Sequence, residues 1–175
     1  MPLVSWRTDG SVSTLALERP EALNAMSEEM AKEFSTAVRR LAKEKSKVVV
    51  LMGRGPAFCA GGDLAFIEEN RRRPSGTLAP LMRRFYGAFL SIRDLPQVTI
   101  AKVHGPAVGA GLCLAMACDL RVVCDDARLG FVLAHLASEA AEAVGSEIVE
   151  VGRFAGVFVR AVARASNRFA TLAQA

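Results

Sequence analysis

The sequence is poor in the residues that metal centres and nucleic-acid platforms need. Its 175 residues hold two His, one Trp and one Tyr, and its four Cys form no CxxC pair. A structural zinc site wants four closely grouped soft or imidazole ligands, so no metal is expected. Base-stacking platforms interleave aromatic and basic residues. The basic clusters Arg71–Arg73 and Arg83–Arg84 contain no aromatics, and nucleic acid is not expected as a partner. A net charge of +4 is weak support for an anionic ligand. The same arginines read as a solvated face or as a landing site for a phosphorylated cofactor. Long apolar runs are missing too. The longest uncharged stretch, 103–118, is rich in Gly and Ala and falls short of the ~20 apolar residues of a membrane span. Residues 1–20 carry Arg7, Asp9, Glu18 and Arg19 without an apolar core, so no secretory signal is read. Cys59, Cys113, Cys118 and Cys124 sit in apolar stretches, which suits a reduced, cytoplasmic setting.

What is present describes a globular chain. Hydrophobic residues make up 51% and charged residues 23%, too apolar for disorder. The length suits one domain, or one domain with a helical appendage. Val12–Leu17 alternates loosely and reads as a strand, paired with Leu3–Arg7 across a turn at Thr8-Asp9-Gly10. Arg19-Pro20-Glu21-Ala22-Leu23-Asn24 is a turn. Ser27 stands where a helix cap is needed, with Glu28 and Glu29 in the first turn and Met30, Phe34, Val38 and Leu41 as the apolar stripe. Val48–Met52 is the unbroken apolar run of a buried central strand. After a loop, Leu81, Met82, Phe85, Phe89 and Ile92 predict a helix over 78–93, ended by Leu95-Pro96. A strand over 98–103, a glycine turn over 104–111, a small-residue helix over 112–118 and a strand over 119–124 follow, with a further strand at 129–131. Strand, glycine loop, helix, strand is the order of an α/β fold.

The composition changes after Phe131. Residues 132–152 carry Glu139, Glu142, Glu147 and Glu150 and no Lys or Arg; residues 153–175 carry Arg153, Arg160, Arg164 and Arg168 and no acid. Phe154, Val157, Phe158, Ala161, Val162, Ala165 and Phe169 recur at helical spacing. The division expected is a core over 1–131 and an atypical helical segment over 132–175, whose stripe suits core packing or contact between copies.

Two glycine-bearing loops, 53–64 and 104–111, carry the chemistry. Neither is a phosphate loop: there is no GxxxxGK[ST], and Leu114 stands where GxGxxG needs its third glycine. Each follows a buried strand and leads toward a helix, where main-chain N–H groups lack partners and face whatever lies above. Small residues let a ligand approach that backbone. Two such amides converging on one carbonyl oxygen would form an oxyanion hole. Taken singly, either loop is as well explained by tight turns and close helix packing; the pair favours the functional reading.

The segments Glu18-Arg19-Pro20-Glu21-Ala22-Leu23-Asn24-Ala25-Met26, Gly55-Pro56-Ala57-Phe58-Cys59-Ala60-Gly61-Gly62-Asp63-Leu64, His104-Gly105-Pro106-Ala107-Val108-Gly109-Ala110-Gly111 and Ala117-Cys118-Asp119-Leu120-Arg121 together resemble the crotonase superfamily, the enoyl-CoA hydratase/isomerase family. The resemblance runs in order and spacing over residues 3–131. It implies a spiral of ββα units and an acyl-CoA substrate, with coenzyme A arriving as part of that substrate and no resident cofactor. It implies a thioester carbonyl held between the amides of Ala60 and Ala110, and a thioester enolate as the stabilised species. Ala22 and Leu23 would lie along coenzyme A, with Gly61, Gly62, Asp63 and Leu64 beside them. Glu21 occupies a place where family members often carry a basic residue; Arg19, Arg54 or the Arg71–Arg73 run would then meet the phosphates. A trimer-based homo-oligomer in the cytoplasm is also implied.

The chain departs from that pattern where the acids should be. Hydration needs two groups that exchange protons with water and the α-carbon, usually carboxylates. The family's first acid falls on Cys113, the second on Leu133, and the isomerase aspartate on Ala141, flanked by Glu139 and Glu142. Glu139 or Glu142 would serve if the register shifts. The expectation is therefore proton transfer at the α-carbon, with isomerisation favoured over hydration. The alternatives are an acyl-CoA-binding or assembly subunit without catalysis, and a thioesterase-like hydrolase. Cys59 and Cys113 with His104 raise a thiol–imidazole reading, less favoured than a packed thiol and a turn histidine. Asp63 is expected to cap the following helix and Asp119 to bond backbone near the next strand.

Overall fold

The computed structural model describes residues 1–130. Strands β1 (Val4–Asp9) and β2 (Val12–Leu17) form an antiparallel hairpin closed by the Asp9–Val12 pair. The turn sits at Gly10 and Ser11, one residue later than the sequence suggests, because Gly10 takes the left-handed φ of 54° that a tight hairpin turn requires. A 3-10 turn over Pro20–Ala22 leads to helix α1 (Glu28–Leu41). Ser27 caps α1 by accepting from the Met30 N–H, and Glu28 and Glu29 lie in the first turn, where the helix dipole favours them. Met30, Ala31, Phe34, Ala37, Val38 and Leu41 are its buried stripe.

Strand β3 (Val48–Gly53) follows, then helix α2 (Leu64–Asn70), helix α3 (Ser75–Leu90), a 3-10 turn over Ser91–Asp94, and strand β4 (Val98–Val103). Short strand β5 (Ala107–Val108), helix α4 (Ala110–Ala117), strand β6 (Leu120–Val123) and short strand β7 (Leu129–Gly130) complete the described chain. The main sheet has the order β1-β2-β3-β4-β6, and β2, β3, β4 and β6 run parallel. The second sheet pairs β5 with β7 in parallel. Strand, helix, strand repeats along the chain, an α/β architecture as the sequence implies. β3 is central in the sheet, yet only its Val49, Leu51 and Gly53 face is fully buried, while Val48, Val50 and Met52 are half-buried.

Helices α1 and α3 cover one face of the sheet. The contacts of α3 are aromatic: its Phe89 meets Phe34 of α1 at 5.2 Å between ring centroids, and its Phe85 stacks on Phe66 of α2 at 4.4 Å. Fully burying one such side chain stabilises the fold by about 1.5–3 kcal/mol. α3 begins at Ser75 rather than at 78 and runs through Pro80, which has no N–H to donate to the preceding turn. Gln97 fastens the end of α1 to the start of β4 by donating to the carbonyls of Leu41 (2.8 Å) and Glu44 (3.2 Å). The expected helical segment 132–175, with its 153–175 stripe, lies outside the described residues.

Candidate functional site

Three loops meet above the ends of the parallel strands: 19–26 after β2, 53–63 after β3, and 104–110 after β4. Asn24 ties the first to the second. It is fully buried with a left-handed φ of 56°; its amide donates to the carbonyls of Arg54 (2.9 Å) and Ala57 (2.8 Å), and its oxygen accepts from the Arg19 N–H (2.9 Å). The Met26 N–H donates to the Gly61 carbonyl (2.7 Å) and the Asp63 N–H to the Met26 carbonyl (3.0 Å). The second and third loops are joined by the N–H groups of Phe58 and Cys59 on the Pro106 carbonyl (3.0 and 3.1 Å) and by the Val108 N–H on the Cys59 carbonyl (3.0 Å). Glycine makes this approach possible. A Cβ on Gly111 would sit 2.1 Å from the Cys59 carbonyl oxygen, and one on Gly105 would sit 2.3 Å from that of Pro56.

Ala60 does not serve as an amide donor toward a ligand. Its N–H donates to the Leu23 carbonyl at 2.9 Å, so the expectation for that residue is corrected. The amide that faces the other way belongs to Gly62. Gly62 pairs with Met26 in a one-residue parallel bridge. Such a bridge uses the carbonyl before it and the N–H after it, so Gly62's own polar groups point away from the 19–26 loop. Gly61 sits against the third loop with φ of 99°, and a Cβ there would lie 2.8 Å from the Val108 carbonyl and 3.4 Å from the Ala110 nitrogen. The Gly62 N–H, one peptide onward, thus belongs to a loop in direct apposition to the one that carries the Ala110 N–H. Ala110 is the first residue of α4, where N–H groups have no helical partner. Among the described residues neither amide has a hydrogen-bond acceptor. Ala22 lies in the 3-10 turn and Leu23 adopts a left-handed φ of 51° beside Ala60. Leu64 projects into solvent.

Asp63 caps α2, accepting from the N–H groups of Ala65 (2.9 Å) and Phe66 (3.3 Å), and pairs with the Arg19 guanidinium. That pairing holds its carboxyl below the usual range. Arg19 also donates to the Ala25 carbonyl, and Arg54 pairs with Glu18. Asp119 accepts from the N–H and hydroxyl of Thr99, both at 2.8 Å, and so bonds backbone of β4.

Burial pushes the Cys59 thiol up to about 12 and the Cys113 thiol up to about 11. Neither is a ready nucleophile or base at neutral pH. Cys59 donates to the Asn24 carbonyl, and His104 Nε2 bonds the Gly55 carbonyl at 2.8 Å, so each has its own backbone partner. Glu139 and Glu142 lie outside the described residues. No group of three or more His, Cys, Asp or Glu that could hold a metal ion occurs among the described residues. No helix among them is long and apolar enough to cross a membrane.

Residues 7–149 match the family model described as Enoyl-CoA hydratase/isomerase. The chain belongs to the enoyl-CoA hydratase/isomerase family. The match continues past Arg121, where the quoted motifs end. A relative from Thermus thermophilus is 42% identical over 130 residues, spanning 70% of this chain and 49% of its own length. The crystal structure of an enoyl-CoA hydratase from Polaromonas sp. JS666 superposes with a TM-score of 0.69 at 31% identity, covering 76% of this chain and 52% of that one. The enoyl-CoA hydratase from Mycobacterium smegmatis gives 0.69 at 36% identity, covering 86% and 62%. The crotonase fold of this family member is therefore shown. The chain spans about half the length of the curated relatives it matches (46% and 49% for two of them).

Proposed function

We propose that this chain binds an acyl-CoA thioester and stabilises its enolate through the main-chain N–H groups of Gly62 and Ala110. One observation carries the reading: two amides from separate, apposed loops lack acceptors among the described residues, and one of them, that of Ala110, opens a buried helix. A thioester oxygen between them would gain charge as the α-proton leaves, and the helix dipole favours that charge. The family and the relatives named as enoyl-CoA hydratases support the choice of ligand. The reaction that follows is proton transfer at the α-carbon, the proton passing to the carboxylate of Glu139 or Glu142. Cys113 stands where hydration would use a carboxylate, and its thiol stays protonated; isomerisation is therefore favoured over hydration. The same observation favours a second reading, in which the chain binds acyl-CoA without turning it over.

Deuterium exchange at the α-carbon of a short saturated acyl-CoA tests the reading. Exchange is expected with the wild type and not with Ala110→Pro. Proline is tolerated at the first position of a helix; it removes the N–H and puts a ring carbon in its place. Loss of one such donor typically costs about 10²–10³ in rate. Tight thioester binding without exchange would establish the binder; release of free coenzyme A would establish a hydrolase. Absence of thioester binding would overturn the assignment.

A further inference from the structure

The Gly62 N–H belongs to a peptide that joins two glycines, Gly61 and Gly62. Glycine takes positive and negative φ alike, so neither residue fixes that peptide by itself. Its carbonyl end is held by the first loop, where the Met26 N–H donates to the Gly61 oxygen at 2.7 Å. A trans peptide sends its N–H the opposite way from its C=O, so the Gly62 N–H is turned away from Met26. The other side of Gly61 is held by a side chain. The Gly61 N–H donates to Cys59 Sγ at 3.5 Å, and the Cys59 S–H donates to the Asn24 carbonyl at 3.1 Å. The Cys59 backbone is pinned in turn to the third loop: its N–H donates to the Pro106 carbonyl at 3.1 Å and its carbonyl accepts from the Val108 N–H at 3.0 Å. A single, fully buried residue therefore ties together all three loops of the site.

We infer that Cys59 is a positioning residue: its thiol fixes the Ala60–Gly61 peptide, and through it the direction in which the Gly62 N–H meets a thioester oxygen. This rests on the acyl-CoA reading above. The thiol suits the task because it must donate and accept at once. Protonated, it has one hydrogen for the Asn24 carbonyl and lone pairs for the Gly61 N–H. Burial keeps it protonated, so it adds no negative charge beside the enolate. Bonds already made before a ligand arrives need no rearrangement when charge develops. A misaimed amide should therefore weaken stabilisation of the enolate more than capture of the neutral thioester. Cys118 provides the contrast. It is buried as well, but its thiol bonds the Leu114 carbonyl within α4, at 3.8 Å.

Three variants of the full chain test the role. Cys59→Ala deletes the thiol, Cys59→Ser keeps a donor and an acceptor on the same carbon, and Cys118→Ala removes a buried thiol elsewhere. The probe is butyryl-CoA labelled with ¹³C at the carbonyl, whose resonance is expected to move downfield on binding to the wild type. Cys59→Ala is expected to lose a large part of that shift and to slow α-proton exchange by up to about 10²-fold. Its thioester dissociation constant, read by calorimetry, is expected to change less than about threefold. Cys59→Ser should regain most of the shift, and Cys118→Ala should keep it. Without ligand, the Gly61 N–H should exchange with deuterium about 2–10-fold faster in Cys59→Ala than in the wild type. A full carbonyl shift in Cys59→Ala, or an equal loss in Cys118→Ala, would overturn the role of Cys59 while the acyl-CoA reading stands. If the wild type binds no thioester, both fall. Should Cys59→Ala lose its far-ultraviolet dichroism, the wild type decides: a Gly61 N–H that exchanges as fast as in an unstructured peptide overturns the assignment, and a protected one supports it.

Discussion

Gly111→Ala sets two physical effects against each other. Gly111 lies inside α4, where alanine is normally preferred over glycine by about 1 kcal/mol. The new Cβ would stand 2.1 Å from the Cys59 carbonyl oxygen. That oxygen must retreat by about 1 Å or more to reach ordinary contact, and overpacking of this kind costs about 1–3 kcal/mol or more. The same oxygen accepts from the Val108 N–H at 3.0 Å, a bond worth about 0.5–1.5 kcal/mol that the retreat weakens. The contact outweighs the propensity, and the expected net loss is about 2–3 kcal/mol. Gly87→Ala is the matched control. Gly87 is also helical, in α3, but nothing lies within 4 Å of its would-be Cβ, so a gain of about 0.5–1 kcal/mol is expected. Urea unfolding followed by the fluorescence of Trp6 reads both. With a slope of about 1–3 kcal/mol per molar urea, the two midpoints should part by about 1 M or more. A Gly111→Ala protein as stable as the wild type would refute the claim that loop apposition limits this position.

Other perturbations separate the remaining contributions. Asn24→Ala strands the carbonyls of Arg54 and Ala57 and the N–H of Arg19; a loss of about 3 kcal/mol or more is expected in the same assay, and a loss under about 1 kcal/mol would contradict the network's role. The Asp63 carboxyl is held below its ordinary value of 3.8, mainly by Arg19. Its contribution to stability is therefore present above the unfolded-state value and lost as pH falls through the folded one. Asp63→Asn, which can still cap α2, should be less stable than the wild type at pH 6 and should converge with it as the pH drops below 3.8; a gap that persists in acid would disprove the pairing. Of the four thiols, only Cys124 is exposed. Native protein with iodoacetamide should gain one label quickly and the rest only on unfolding, as counted by mass spectrometry; rapid labelling of Cys59 would contradict its burial.

Most strands were legible because their apolar runs and flanking turns are local signals: Val12–Leu17 and Val98–Val103 match residue for residue, whereas Ala107–Val108 lies inside the segment read as a glycine turn. The start of α3 was not, since Ser75-Gly76-Thr77 has poor intrinsic helix preference and the helix is held from outside by packing on α1. Pairing of the loops also hid which amide faces a ligand. Ala60 and Gly62 are both small residues in one motif, and only the register of the Met26–Gly62 bridge turns one inward and the other outward. The partners of Asn24 were invisible for the same reason, because they come from residues 30 and 33 positions away. Cys113, His104 and Asp119 were legible as types, and their environments decide that they stay protonated, backbone-bonded or structural.

The parallel order of β2, β3, β4 and β6 has a kinetic consequence. Every parallel neighbour must be reached by crossing over a helix, so no site loop can find its partner through local chain search. The hairpin of β1 and β2 can close early, and the 53–63 segment can dock on the 19–26 loop once β3 joins β2, but its contacts with the 104–110 loop wait until β4 has been added beside β3. Ligand competence should therefore emerge as a late event in folding, after most secondary structure is in place. Stopped-flow refolding would then show helical dichroism recovering ahead of acyl-CoA capture.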